Sequence, residues 1–341
     1  MIMDEPTSVL TPGEVSDLFS VLKKLSNAGM SILYISHKLE EIRTLCTKAT
    51  IMRRGQVVKK CDPQNISTSK IAEEMVGTSF SSPKKSKFKK GKVCLKINNL
   101  SFRPLDAFGI PIRNLNLKIH HGEILGIGGV AGNGQEEFLS LLSGELKPSN
   151  GSLLFDGLDI TKLNVVERRN KGLLTAPEER LGHAAVPVMT LTENCLITAE
   201  HRMNLSKKGF IDYESSKKLS DEIIKKLDVR TSGSDALARS LSGGNLQKFV
   251  IGRELIQKPK IFIVNQPTWG VDAAAASSIR QQILDLAKDG AAVIVISQDL
   301  DELLEISDVF CALVGGQLSS PENTSELNPS KIGMLISNSK E

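Results

Sequence analysis

The stretch EILGIGGVAGNGQEEFLSLL, residues 123–142, joins an apolar run to a glycine-rich loop and then to a run with helical spacing. EILGIGG at 123–129 reads as a buried strand, and Phe138, Leu139, Leu141 and Leu142 suit one face of a helix. In a strand, glycine loop and helix of this kind, backbone N–H groups and the helix N-terminus can hold phosphate. Gly129, Gly132 and Gly134, with Asn133 between the last two, sit where a phosphate loop wants them. Gln135, however, stands where a lysine would reach the phosphates, and Glu136 stands where a Ser or Thr would ligate magnesium. Exchanging the cation for an amide loses a charge-assisted contact of roughly 1.5–3 kcal/mol, and the carboxylate adds repulsion. Taken alone, the three glycines fit an ordinary strand–helix turn equally well.

Downstream, LSGGNLQK at 241–248 leads into FVIGRELIQKPKIFIVNQPTWGVD, followed by a helix, a strand and Ser297-Gln298-Asp299. The end of this region has a second copy near the N-terminus. Residues 4–57 align under residues 265–318 without a gap at a constant offset of 261. Pro6-Thr7 falls on Pro267-Thr268, Gly29 on Gly290, Ile35-Ser36 on Ile296-Ser297, Glu41 on Glu302, and Gly55-Gln56 on Gly316-Gln317. Thr11-Pro12-Gly13-Glu14 reads as a capping box opening a helix that Gly29 ends, and SILYIS and AVIVIS read as buried strands. Alternating strands and helices predict an α/β fold with a mostly parallel sheet covered on both faces.

The order of these motifs resembles the ATP-binding cassette family, for which LSGGNLQK is highly specific. The resemblance covers nearly the whole chain. It implies the P-loop NTPase-like ABC cassette, with an antiparallel β-subdomain and a helical subdomain, and it implies ATP and Mg2+ as ligands. In that family each ATP lies between one cassette's phosphate loop and the other's signature helix. Ser242, Gly243 and Gly244 would supply that signature, and Gln247 and Asp272 fall among the nucleotide-contacting positions. The magnesium strand of the family ends in Asp-Glu, kept in the first copy as Asp4, the metal residue, and Glu5, which polarises the attacking water. Alone, the same pair would serve as a helix or turn cap. In the second copy they become Asn265 and Gln266, and His37, the switch histidine of the first copy, becomes Gln298. Glu178 in TAPEER matches the loop that senses the membrane subunits, although a solvated glutamate before a turn has the same appearance. Phe108 is placed to stack on adenine or to fill the core.

The domains expected are a C-terminal fragment of a first cassette at 1–80, a Lys-rich linker at 81–92 and a degenerate second cassette at 93–341. Roughly 170 residues of the second copy precede the equivalent of Asp4, so the first copy is expected to lack its front part. On that reading a fragment, a reassigned start and a split gene all stay open, and a second polypeptide carrying the first phosphate loop becomes an expected partner. The linker SSPKKSKFKKGK suits a solvated connection or contact with anionic head groups.

PTSVLTP after Asp4-Glu5, and the loop GVAGNGQ, resemble the ATP-binding proteins of bacterial simple-sugar and nucleoside importers. That implies integral membrane permease subunits as partners, a substrate-binding protein acting indirectly, and a peripheral position on the cytoplasmic face of the cell membrane. The composition agrees. Of 341 residues 40% are hydrophobic, with no apolar run of spanning length, and 43 basic against 39 acidic residues give only +4, so nucleic acid is not expected. The N-terminal MIMDEPTS has acid where a signal peptide needs basic residues, which leads to the expectation of a cytoplasmic protein. Five scattered cysteines, Cys46, Cys61, Cys94, Cys195 and Cys311, argue against a disulfide framework or a zinc cluster. Two further classes remain beside the importer subunit: a cassette protein acting on ribosomes or DNA, which normally needs a charged helical insertion, and a non-enzymatic remnant.

Overall fold

The computed structural model describes residues 1–7, 10, 12–36, 38–53, 55–76, 85, 91–105 and 109–337. The chain divides into two units, Met1–Ser82 and Pro83–Glu341. Thr11, His37, Phe108 and most of the Lys-rich stretch lie outside the described residues.

In the first unit the order is β1 (Ile2–Asp4), α1 (Pro12–Asn27), β2 (Leu33–Ile35), α2 (Leu39–Leu45), β3 (Ala49–Arg53), β4 (Gln56–Cys61), a 3-10 turn at Pro63–Asn65 and α3 (Thr68–Val76). Strands β1 and β2 pair in parallel, whereas β3 and β4 form an antiparallel ribbon.

The second unit opens with β5 (Val93–Phe102), β6 (Ile112–His120), β7 (Ile124–Gly128), α4 (Gln135–Ser143), β8 (Asn150–Phe155), β9 (Leu158–Asp159), α5 (Val165–Lys171) and β10 (Leu173–Ala176). It continues through α6 (Leu191–Ala199), β11 (Ser206–Lys207), β12 (Phe210–Ile211), α7 (Tyr213–Lys226) and α8 (Gly243–Leu255). Its last part holds β13 (Ile261–Asn265), α9 (Ala273–Lys288), β14 (Ala292–Ser297), α10 (Leu300–Ile306), β15 (Val309–Val314), β16 (Gln317–Leu318), β17 (Glu322–Asn323), a 3-10 turn at Thr324–Glu326 and α11 (Pro329–Ser337). The main sheet runs β10-β13-β14-β7-β15-β16 with β17 also on β15, and its first five strands are mutually parallel. A separate antiparallel sheet runs β6-β5-β8-β9. The helices α6 and α7, with the β11–β12 hairpin, form the helical part. The expected α/β cassette with its two subdomains is present.

Period-two alternation divides the buried strands between two cores. Phe262, Val264, Val293 and Val295 join the helices α6 to α9 on one side of the sheet. Ile261, Ile263, Ile294 and Ile296 face α4 and the antiparallel sheet on the other. Both faces being covered explains why AVIVIS carries no polar residue before its terminal serine. Among the described residues, no helix is long and apolar enough to cross a membrane.

The repeat is reproduced in three dimensions. Helices α1 and α9 share their boundaries at the 261-residue offset, as do α2 and α10. Ile2 and Asp4 pair with Leu33 and Ile35, just as Ile263 and Asn265 pair with Ile294 and Ile296. The match also runs past residue 57, because the 3-10 turns Pro63–Asn65 and Thr324–Glu326 and the helices α3 and α11 correspond at the same offset.

Candidate functional site

Strand β7 delivers the chain to Gly129 at the sheet's carboxyl end, where a Cβ would come within 2.5 Å of the Leu313 carbonyl, so only glycine fits. The loop then turns through Gly134, whose φ of 104° places it in the left-handed region as the N-cap of α4. The side chain of Gln135 folds back over the loop. Its amide donates to the Val130 carbonyl at 2.9 Å, and its carbonyl oxygen accepts from the Asn133 backbone N–H at 2.9 Å. Asn133 is itself committed, donating to Val130 O at 2.8 Å and accepting from the Gly315 N–H at 2.9 Å. A polyphosphate cradle draws on loop N–H groups, and that of Asn133 is taken by the loop's own glutamine.

Electrostatics point the same way. Glu178 follows β10 and lies 3.4 Å from the Asn265 amide nitrogen at the tip of β13. Its carboxyl is raised above the usual range, first by burial and then by the charge of Glu136, with Arg180 opposing. Two carboxylates thus meet beside the glycine loop, and no loop lysine offsets them. Asn265 is buried, and its Oδ1 has no hydrogen-bond partner. Where Asp would carry charge, an oxygen remains without one.

The next position shows backbone strain in both copies. Glu5 has φ of 43° and Gln266 has φ of 53°, and each is held by a backbone bond to the neighbouring strand, Glu5 N to Ile35 O at 2.9 Å and Gln266 N to Ile296 O at 2.8 Å. Non-glycine residues in the left-handed region cluster at functional positions. The strand after it ends in a serine bonded to a glutamate in both copies: Ser36 to Glu41 at 3.2 Å and Ser297 to Glu302 at 2.9 Å. Gln298 reaches Gln266 only through its backbone N–H, at 3.4 Å. Asp4 and Glu5 are exposed in the first unit.

A second locus surrounds the start of α8. Ser242 is the N-cap but makes no side-chain capping bond, and its hydroxyl accepts from Asn245 at 2.8 Å. A cleft of about 310 Å³ opens there, lined by Ser242, Gly243, Gly244, Lys248, Gly270 and Asp272 among others. The helix N-terminus gives it a positive end, which suits an anion. No residue of 129–136 lines this cleft. Asp272 caps α9 by accepting from the Ala275 N–H at 3.0 Å.

Gln247, expected among the nucleotide-contacting positions, packs into the fold. It is buried, and its side chain accepts from Arg180 Nε at 2.9 Å and donates to the carbonyls of Gln266 and Pro267 at 3.2 Å. Both amide hydrogens and one acceptor site of the oxygen are thus committed inside the fold. Arg180, which the motif reading passed over, completes this bracket by donating also to the Trp269 carbonyl and lying 5.2 Å over the Trp269 ring. A Cβ at Gly243 would meet Arg180 Nη1 at 2.7 Å, so a larger residue there would displace the guanidinium. The glutamate loop, the signature helix and the turn after β13 are therefore tied together by one guanidinium. Its only sequence signal was its place two residues after Glu178.

Residues 112–269 match the ABC transporter family model. The chain is 35% identical over 340 residues to the nucleoside import ATP-binding protein NupA of Lactococcus lactis subsp. cremoris, covering 98% of this chain and 66% of that one. It is 36% identical over 339 residues to the galactose/methyl galactoside import ATP-binding protein MglA of Escherichia coli K12, covering 99% and 66%. With the glucose import ATP-binding protein TsgD13 of Haloferax volcanii the identity is 33% over 338 residues, covering 98% and 61%. The chain thus spans about two thirds of the length of these relatives. Among solved structures, an ATP-binding cassette in a dimeric post-hydrolysis state bound to ADP and Pi superposes with a TM-score of 0.58 at 23% identity, over 67% of this chain and 98% of that one. A nucleotide-free cassette from an ABC transporter gives 0.56 at 23%, over 73% and 96%.

Proposed function

We infer that this chain, which has the ABC ATPase cassette fold and is homologous to the ATP-binding proteins of sugar and nucleoside importers, is a subunit coupling ATP to import through membrane permease partners. Within it, residues 93–341 act as a tandem protein's second cassette that offers its signature helix to nucleotide while its own loop stays closed. The observation that carries this reading is the contrast between the two loci: an uncapped α8 N-terminus opening on a cleft, and a glycine loop filled by Gln135 and faced by Glu136 and Glu178.

At the open locus the chemistry is electrostatic. The Ser242 hydroxyl and the first N–H groups of α8 would donate to the terminal phosphate of an ATP held on another cassette's loop. In the first unit, Asp4 retains the carboxylate that holds magnesium through water, and Glu5 the one that orients the attacking water. At the second copy, Asn265 and Gln266 keep the shape but neither hold a metal strongly nor accept a proton. Sugars or nucleosides are the substrate classes that the relatives' names support, with a periplasmic or surface binding protein as the indirect partner. The subunit would sit peripherally on the inner face of the membrane.

Uptake of labelled sugars and nucleosides by cells lacking the gene tests the reading. Loss of uptake of one such substrate, restored by the wild-type gene and not by Ser242→Ala combined with Gly243→Asp, is expected. Unchanged uptake across both classes would overturn the transport assignment. Hydrolysis of ATP by the isolated chain that survives Glu5→Gln would overturn the silent second cassette.

A further inference from the structure

The antiparallel sheet of the second unit gathers three side chains that the cassette chemistry does not use. Cys94 is the second residue of β5, His121 follows the end of β6, and Asp156 opens the turn between β8 and β9. Their sulfur, ring nitrogen and carboxylate oxygen lie within 4.8 Å of one another. We propose that Cys94, His121 and Asp156 form a binding site for a zinc-class divalent cation, with water as the fourth ligand.

The ring of His121 is flanked by two acceptors. Its Nδ1 is 3.2 Å from the Gly290 carbonyl, and its Nε2 faces the Asp156 carboxylate at 2.7 Å. With Nε2 on a metal, Nδ1–H would donate to the Gly290 carbonyl, the arrangement by which metal-ligating histidines fix their orientation.

The backbone holds the three ligands independently. Asp156 sits in a left-handed turn with Gly157, φ 47° and 81°, and its N–H donates to the Cys94 carbonyl at 2.8 Å. The N–H of His121 donates to the Lys92 carbonyl at 3.0 Å. Cys94 is 1% exposed, with the Lys260 carbonyl 4.0 Å from its sulfur, whereas His121 and Asp156 are partly open, giving an ion its entry. Thiolate, imidazole and carboxylate are the ligand types of tetrahedral zinc. As the metal–sulfur bond forms, the thiol proton leaves to solvent, and the His121–Asp156 contact widens to the roughly 3.3–3.6 Å separation of tetrahedral ligands. The ion would staple the β8–β9 turn to the start of β5 and the end of β6.

Cobalt(II) titration of the full chain tests this, with zinc as competitor. One cobalt per chain is expected, with a thiolate-to-cobalt charge-transfer band and tetrahedral d–d bands, all bleached by zinc. Cys94→Ser should abolish the charge-transfer band, and Cys46→Ser with Cys61→Ser should leave it intact. Asp156→Asn, on an exposed turn where asparagine tolerates the left-handed backbone, should weaken cobalt at least about tenfold without moving the melting point of the metal-free chain. It decides the matter even if Cys94→Ser does not fold. Absence of the thiolate band, or its survival in Cys94→Ser, or unchanged affinity in Asp156→Asn, would overturn the proposal and leave His121 and Asp156 as a hydrogen-bonded pair.

Discussion

Gln135 and Val130 face each other across the glycine loop, joined by a 2.9 Å hydrogen bond from side-chain amide to carbonyl. The same side chain takes the Asn133 N–H through its oxygen. A lysine in this place has donors only, so it would leave that N–H for phosphate. Replacing Gln135 by Lys and Glu136 by Ser together should therefore reopen the loop, restore one charge-assisted contact and remove one repulsion. A fluorescent ATP analogue is expected to bind about tenfold to hundredfold more tightly to the double variant, which is the equivalent of roughly 1.5–3 kcal/mol. Equal affinity of wild type and variant would mean that the loop is not closed by its own side chain.

Arg180 makes the second prediction measurable without any ligand. Trp269 is the sole tryptophan of the chain, and the guanidinium lies on its ring while donating to its carbonyl and to Gln247. Lysine keeps the charge but has no planar fork to serve both acceptors and the ring together. Arg180→Lys should red-shift Trp269 emission and lower stability by about 1–2 kcal/mol in denaturant titration. An unchanged spectrum would show that the bracket does not hold the turn in solution.

The buried carboxyl of Glu302 makes the second unit sensitive to pH. Its pKa is pushed up to about 7, chiefly by burial and also by Asp299, with the hydroxyls of Thr268 and Ser297 and the charge of Arg280 opposing. In the unfolded chain the same group titrates near 4.5. Between these values the folded state binds more protons than the unfolded one, so its contribution to stability is full below about 4.5 and is lost as pH rises through about 7. Glu302→Gln cannot ionise, so the variant should lose less stability than wild type between pH 5 and 8. The measurement is chemical denaturation across that range, and parallel curves for the two proteins would refute the assignment.

Most of the architecture was legible because burial on both faces leaves an unbroken apolar strand, and because the repeat keeps its turn residues. Gly29 and Gly290, for instance, both take left-handed backbone, at φ 93° and 99°. The repeat's final helix was missed because the segment after Gln56 diverges freely at the surface. The match resumes only at Ser69-Lys70-Ile71 and Ser330-Lys331-Ile332, where Ile71 and Ile332 are both buried. At the candidate site, the exchanged residue types could be read directly, but not what they do: a glutamine folded over its own loop leaves no trace in spacing. Gln247 was legible only as part of a motif, and its bond from Arg180 was not. Cys94, His121 and Asp156 come from three separate strand ends, so a reading that sought closely spaced cysteines had no means of joining them.

The two copies of the repeat also predict opposite responses to one substitution. Leu33 and Ile294 occupy equivalent positions on β2 and β14, yet Leu33 is 57% exposed and Ile294 fully buried. On the first unit Ile2, Leu33 and Ile35 form an apolar strip along paired strands, since residues two apart share a face. Exposed strips of this kind bind hydrophobic dyes and promote association. Leu33→Lys should lower the fluorescence of a bound apolar dye and slow aggregation, with helical circular dichroism unchanged. Ile294→Lys places an ammonium within a buried apolar cluster, and should cost more than about 4 kcal/mol or prevent folding of the second unit. If Leu33→Lys instead destabilised the chain as severely, the strip on β2 would be covered in solution, and the first unit would have a partner surface that its own residues do not provide.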